Sequence, residues 1–106
     1  MWYSEQGLSW LTQRVELLAH HVGVKPQGIN VRDLGYRWGY CGRGDTLNFH
    51  WRVVQLPPII IDYIVVHELV HLHEPRHNAA FWRLMEQAMP DYATHKKWLA
   101  ENGSRF

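Results

Sequence analysis

The sequence predicts an α+β fold in the order helix, small sheet, then three helices. Apolar residues have helical spacing near the start of the chain, alternate with polar residues in the middle, and return to helical spacing after two adjacent prolines. These patterns differ because side chains repeat about every 3.6 residues around a helix and every second residue along a strand. The 106 residues suit a single domain, residues 1–106, with one modest core.

The first element is predicted to be an amphipathic helix. Its apolar residues recur at the spacing of one helix face: Leu8, Leu11, Val15, Leu18 and Val22. Gly23 is the predicted stop, because glycine readily takes the backbone conformation that ends many helices. Pro26 and Gly28 then mark a loop.

Residues 29–54 predict a small antiparallel sheet of about three strands. Aromatic and β-branched residues favour strands, and glycines punctuate them. The segment Gly42-Arg43-Gly44-Asp45 is the predicted hairpin turn. After it, the apolar residues that alternate with polar ones are Leu47, Phe49, Trp51 and Val53. This alternation predicts a strand with one buried face.

The third element is predicted to be a buried helix over about residues 59–73. The preceding prolines, Pro57 and Pro58, fit a helix start, where the missing N–H group costs no hydrogen bond. The segment is apolar almost all round, which is typical of a helix enclosed by the core. Glu74 and Pro75 should end it, because the residue before a proline avoids the α conformation.

Two shorter helices complete the prediction. Residues 81–88 have amphipathic spacing and are followed by Pro90, which stops the helix. Asp91 is the expected N-cap of a last helix that runs to about Glu101.

Composition excludes several classes of protein. The formal net charge of +1 gives no strong attraction to nucleic acid or to an acidic membrane surface. A single cysteine, Cys41, excludes an internal disulfide. The start of the chain lacks the pattern of a secretory signal, and the most apolar stretch, residues 59–66, is far shorter than the ~20 residues of a membrane span. We therefore expect a cytoplasmic protein with no membrane partner.

The chemistry is predicted to lie in His67-Glu68-Leu69-Val70-His71. Histidines four residues apart project from one helix face and can bind one zinc ion at about 2.0–2.1 Å. In this motif the glutamate is the base that accepts a proton from the attacking water. A carboxylate and two imidazoles would be costly to bury without a partner, and a metal ion is such a partner. The motif predicts a Zn²⁺ site with His67 and His71 as ligands and Glu68 as the catalytic base.

A catalytic zinc needs a third protein ligand and an open position. His77 is the predicted third ligand, because Pro75 ends the helix and lets the chain turn back toward the metal. His77 also has the ligand spacing of the metzincin motif, although Glu74 stands where that motif has glycine. The alternatives are Glu86, on a later helix as in gluzincins, and His73, which lies on a different helix face from His71.

Two interpretations other than zinc-dependent hydrolysis have less support. Cys41 could act as a nucleophile beside a histidine, but no local signature accompanies it, so we expect a structural thiol. A zinc-stabilised binding module without turnover is a second alternative. Structural zinc sites are closed and mostly built from cysteines, whereas this one offers three histidines and an adjacent glutamate.

A specific series of segments suggests a family. In order along the chain they are RWGYC (37–41), LNFHWR (47–52), PP (57–58), DYIVVHEL (62–69), H (77), FW (81–82), MPDY (89–92) and KWL (97–99). Over roughly residues 30–103 the chain resembles the YgjP-like metal-dependent hydrolases, and more distantly the SprT-like and WLM zinc peptidases. The resemblance implies a compact zincin-like domain whose sheet packs over the zinc helix. It also implies His67, His71 and His77 as ligands. Glu68 is implied as the catalytic acid/base.

The resemblance also bears on the substrate. It implies a metallopeptidase-type hydrolase, in which an extended peptide would pair with an edge strand near residues 47–51. The alternative is a nucleoside triphosphate (UTP) pyrophosphatase that uses the same zinc site, an activity also described in this family. A pyrophosphatase would need cations near the metal to bind the phosphates, and the candidates are Arg37, Arg43 and Arg76. Tyr40 departs from the small serine usual in the family, and the N-terminal region, usually longer, is reduced to one helix.

Overall fold

A computed structural model describes residues 5–105 and confirms the predicted order of elements. The helices are α1 (Glu5–Val22), α2 (Pro58–His71), α3 (Ala79–Ala88) and α4 (Tyr92–Asn102). The strands are β1 (Gly28–Arg32), β2 (Gly39–Cys41) and β3 (Thr46–His50). Short 3-10 turns cover Arg43–Asp45, Trp51–Gln55 and Gly103–Arg105. Among the helices described, none is both long and apolar enough to cross a membrane.

The sheet is mixed, so the prediction of an antiparallel sheet is wrong for one strand pair. The strand order is β1-β3-β2, with β3 in the centre, parallel to β1 and antiparallel to β2. Residues 33–38 carry the chain from one edge of the sheet to the other, and β3 then returns into the gap between them. In this register Ile29 pairs with Leu47 and Val31 with Phe49, which keeps their apolar side chains on one face of the sheet.

The hairpin turn between β2 and β3 is confirmed. The backbone N–H of Gly42 donates to the carbonyl oxygen of Thr46 at 2.7 Å. Gly44 and Asp45 follow with positive φ angles of 68° and 58°. Glycine and aspartate are among the residues that tolerate this left-handed conformation, which explains their place in the turn.

The central strand differs from its prediction in length and in burial. Strand β3 ends at His50, and the next five residues form a 3-10 turn instead of continuing the strand. Both faces of β3 are covered, since the polar residues Asn48 and His50 are only 1% and 3% exposed. Their burial is tolerated because each has hydrogen-bond partners from other segments. Asn48 accepts from Arg32 at 3.0 Å, and His50 accepts the backbone N–H of Arg52 at 3.1 Å.

Helix α2 is the centre of the molecule. It is buried almost all round, as predicted, and contacts α1, α3, α4 and β2. Asp62 interrupts the apolar sequence of this helix, and its carboxylate is partly exposed. It forms a bidentate ion pair with Arg14 of α1, in which Nε donates to Oδ1 at 3.0 Å and Nη2 to Oδ2 at 2.6 Å. This pair explains why an aspartate interrupts an otherwise apolar segment. Gly23, with a φ angle of 86°, ends α1 as predicted.

The ends of the last two helices differ in detail from the prediction. Asp91 occupies the N-cap position of α4, but its side chain makes no capping bond and lies 3.0 Å from Nε2 of His95 instead. The capping prediction for Asp91 is therefore wrong, because a nearby imidazole competes for the carboxylate. Helix α3 is capped by Asn78, whose Oδ1 accepts from the N–H of Phe81 at 3.0 Å.

Candidate metal centre

The structure brings together the three histidines that were predicted as ligands. Helix α2 presents His67 and His71 on one face, and the loop after it returns His77 to them. The Nε2 atom of His77 lies 3.0 Å from Nε2 of His71 and 3.3 Å from Nε2 of His67. Within residues 5–105, these three form the one cluster of histidine, cysteine or acidic residues close enough to share an ion.

The loop between α2 and α3 is organised by Glu74. Its side-chain Oε1 accepts the backbone N–H of Arg76 at 3.3 Å and the side-chain amide of Asn78 at 3.2 Å. Because Asn78 also caps α3, this carboxylate fixes the loop that carries His77. The sequence indicated Glu74 as the predicted helix end and as a departure from the metzincin glycine, but not this role in the loop.

Hydrogen bonds orient two of the three imidazoles. Nδ1 of His71 donates to the carbonyl oxygen of Glu74 at 3.2 Å, since a carbonyl can only accept. Nδ1 of His67 lies 3.0 Å from Oε2 of Glu68 and donates to that carboxylate. In both rings the Nε2 lone pair is therefore left to face the cluster. Burial is the main cause that lowers the pKa of His71, and this shift favours the neutral form of the ring, the form that binds metals.

The cluster fits a metal ion. Ligands on a tetrahedral zinc at about 2.0–2.1 Å lie about 3.3–3.4 Å apart, close to the two Nε2 separations of 3.0 and 3.3 Å. Lone pairs that face one another at this distance repel unless a proton or a cation lies between them. Imidazole nitrogens are ligands for zinc and for other transition metals. The donor set is therefore that of a transition-metal site.

The alternative third ligands lie elsewhere. Glu86 is exposed on α3 and is not part of the cluster. His73 is exposed, and its Nε2 lies 3.4 Å from the carbonyl oxygen of Val22 at the end of α1. Neither side chain approaches the three converging imidazoles.

Glu68 lies beneath β2. Its side chain is only 7% exposed. The thiol of Cys41 donates to the backbone carbonyl of Glu68 at 3.0 Å. A β-carbon at Gly39 would lie 3.3 Å from Cγ of Glu68, so the strand passes over this side chain at a glycine. The fold thus holds a buried carboxylate next to the imidazole cluster.

Comparison with known families agrees with this geometry. Residues 1–102 match the family described as YgjP-like, metallopeptidase domain. The chain belongs to the YgjP-like metallopeptidase domain family. No curated protein matches the sequence.

A solved structure shares the fold of this YgjP-like domain. The crystal structure of the metallopeptidase zymogen of Pyrococcus abyssi abylysin superposes with a TM-score of 0.74 at 21% sequence identity. The match covers 86% of the YgjP-like chain and 93% of abylysin. Family and fold together identify a metallohydrolase domain of the metallopeptidase type, and such a domain implies a metal ion.

Two neutral side chains adjoin Glu68 in the YgjP-like domain. Burial raises the pKa of the Cys41 thiol to about 12, with the Glu68 and Asp45 carboxylates adding to the effect. Burial likewise raises the pKa of Tyr63 to about 12. Since the thiolate is the nucleophilic form of cysteine, the environment of Cys41 supports a structural role for this residue.

Two cavities meet at the carboxylate. The first has a volume of about 350 Å³ and is lined by Arg37, Gly39, Tyr40, Cys41, His67, Glu68, His71, Pro75 and His77. The second, of about 290 Å³, is lined by Tyr36, Arg37, Trp38, Gly39, Tyr63, Ile64, His67, Glu68 and Leu99. Of the three arginines considered for phosphate binding, Arg37 lines both cavities, whereas Arg43 and Arg76 line neither.

Proposed function

We propose that this domain is a zinc metallopeptidase in which His67, His71 and His77 hold the metal ion and Glu68 is the general base. One observation carries the proposal: three imidazole nitrogens converge beside a buried carboxylate and at the wall of a cavity. Three nitrogen ligands leave a tetrahedral ion one open position, which is typical of catalytic zinc sites rather than structural ones.

In the proposed hydrolysis, Glu68 transfers the proton, and His67 and β2 hold it in place. When bound, zinc lowers the pKa of water to about 7 and polarises the carbonyl group to be cleaved. Glu68 accepts one proton from the attacking water and delivers it to the leaving nitrogen. Its hydrogen bond to His67 holds the carboxylate next to the metal ligands. The overlying strand limits the access of bulk water to this side chain.

The edge of the sheet offers a place for an extended peptide. The prediction that residues 47–51 form this edge is wrong, because β3 is the central strand and is paired on both sides. The edge beside the metal ligands is β2, and all three of its residues line the first cavity. A peptide that adds to this edge as a further strand would pass the Glu68 carboxylate with its backbone extended.

Zinc-loaded protein incubated with a peptide library tests the proposal. We expect cleavage that disappears in Glu68→Gln, while the variant keeps one zinc per chain. Glu86→Gln, which removes an exposed carboxylate on α3, is the matched control and should cleave as the parent does. Undiminished cleavage by a folded, zinc-loaded Glu68→Gln would exclude the proposed base. A fully loaded parent that cleaves no peptide would exclude the peptidase.

A further inference from the structure

We infer that Arg37 anchors a carboxylate of the peptide substrate, so that the domain prefers peptides with an acidic group near the bond to be cleaved. The inference rests on the proposed peptidase function and deepens it. It depends on the shape of the groove beside the histidines, on the charges that line it, and on the position of Arg37 relative to β2.

Three adjoining cavities form a groove that leads away from the histidines. The first two, described above, share Gly39, His67 and Glu68. A third, of about 420 Å³, shares Tyr36, Trp38 and Leu99 with the second and extends to Gly103 and Ser104 after α4. Arg37 lines all three cavities. A substrate that extends from the histidines along this groove would therefore pass Arg37.

The charges along the groove favour an anionic ligand. Arg37 is exposed, and its guanidinium packs over the ring of Tyr40 at 5.9 Å from the ring centroid. Among the described residues, no carboxylate forms an ion pair with it. Arg52 adds a second cation to the third cavity, and within residues 7–105 Glu68 is the one acidic side chain that lines any of the three. The Asp33 carboxylate, which lines none of the three cavities, interacts electrostatically with Arg52. Its Oδ1 lies 3.3 Å from Nε2 of His50.

The position of Arg37 favours a peptide carboxylate as the ligand. Arg37 precedes β2 by two residues, so a peptide paired with that strand continues directly past it. A guanidinium offers two parallel N–H donors that match the two oxygens of a carboxylate. Tyr36, 90% exposed beside Arg37, adds an aromatic surface for the neighbouring part of the peptide.

Binding of matched peptides tests the inference without turnover. Fluorescent peptides that differ only by glutamate or glutamine at one position, and by a free or amidated C-terminus, are titrated into zinc-loaded Glu68→Gln. We expect at least one acidic peptide to bind about tenfold more tightly than its neutral partner. The added substitution Arg37→Gln should reduce this ratio to about one. Arg43→Gln, an exposed arginine of the β2–β3 turn outside the groove, is the control and should preserve the ratio.

The outcomes distinguish failure of the proposed Arg37–carboxylate contact from failure of the proposed peptidase function. Equal affinities within every pair, or a preference that survives Arg37→Gln, would overturn the anchor even if the parent protein cleaves peptides. Displacement of the acidic peptide by UTP at lower concentration, dependent on Arg37, would assign the groove to phosphates and also overturn it. An Arg37-dependent acidic preference in a protein that cleaves none of the peptides would support the anchor and refute the peptidase.

Discussion

Replacing Gly39 with alanine tests how β2 controls the position of the Glu68 carboxylate. Gly39 pairs with Phe49 in the sheet, and its missing side chain would point toward α2. A β-carbon at this position would lie 3.0 Å from the carbonyl oxygen of Asn48. It would also lie 3.3 Å from Cγ of Glu68 and 3.3 Å from Cδ1 of Phe49. All three contacts are closer than ordinary van der Waals separation.

The expected effect follows from which neighbours can move. The Asn48 carbonyl belongs to the central strand, and Phe49 is fully buried, so neither yields easily. The Glu68 stem must shift by a few tenths of an ångström, or β2 must lift away from α2. Overpacking of this kind costs about 1–3 kcal/mol of folding free energy. Since a misplacement of about 1 Å can reduce turnover about 100-fold, we expect kcat to fall roughly 5- to 20-fold.

The assay compares Gly39→Ala with Gly42→Ala. A β-carbon at Gly42 would approach Asn48 equally closely, at 3.0 Å, but at its side-chain amide nitrogen and with no atom of Glu68 among its nearest neighbours. We expect Gly42→Ala to cost stability through this contact but to keep kcat within about twofold, because the contact does not involve Glu68. Both variants should keep one zinc per chain and unfold cooperatively in urea. A folded, zinc-loaded Gly39→Ala with the parental kcat, or an equal loss in Gly42→Ala, would refute the reasoning.

Three further predictions concern other parts of the domain. His77→Ala should weaken zinc binding more than about 100-fold in a competition titration with a chelator, whereas Glu86→Gln should leave it unchanged; equal weakening in both would contradict the assigned ligands. Asp62→Asn should lower the free energy of unfolding by about 1–3 kcal/mol in a urea titration, because it leaves the half-buried Arg14 without its carboxylate partner. An unchanged urea midpoint would exclude a stabilising ion pair. Burial raises the pKa of the Cys41 thiol to about 12, so little of the reactive thiolate forms at pH 8 in the folded protein. Iodoacetamide at pH 8 should therefore modify Cys41 about 1,000-fold more slowly in the folded protein than in urea. Equal rates would contradict its burial.

The helices and the histidine cluster could be predicted because their signals are local. The apolar spacing of α1 and the all-round apolar surface of α2 depend only on neighbouring residues in the chain. The same holds for the cluster: a four-residue spacing placed His67 and His71 on one face, and Pro75 indicated the turn that returns His77.

The sheet could be predicted only in part, because strand pairing is decided between distant segments. Alternation indicated a strand at β3 but not which neighbours would flank it, so the parallel pairing with β1 was missed. The burial of Asn48 also escaped local reasoning, since its partner Arg32 comes from another strand. Likewise, the role of Glu74 depends on hydrogen bonds to a loop and a helix cap that spacing does not encode.

Anomalous diffraction at the zinc edge, from crystals of the zinc-loaded protein, tests the central claim most directly. The account predicts one strong anomalous peak that marks a zinc ion about 2.0–2.1 Å from Nε2 of His67, His71 and His77. The open coordination position of this ion should face the cavity beside Glu68. A peak that involves Glu86 in place of His77, a closed set of four protein ligands, or no peak at these histidines would contradict it.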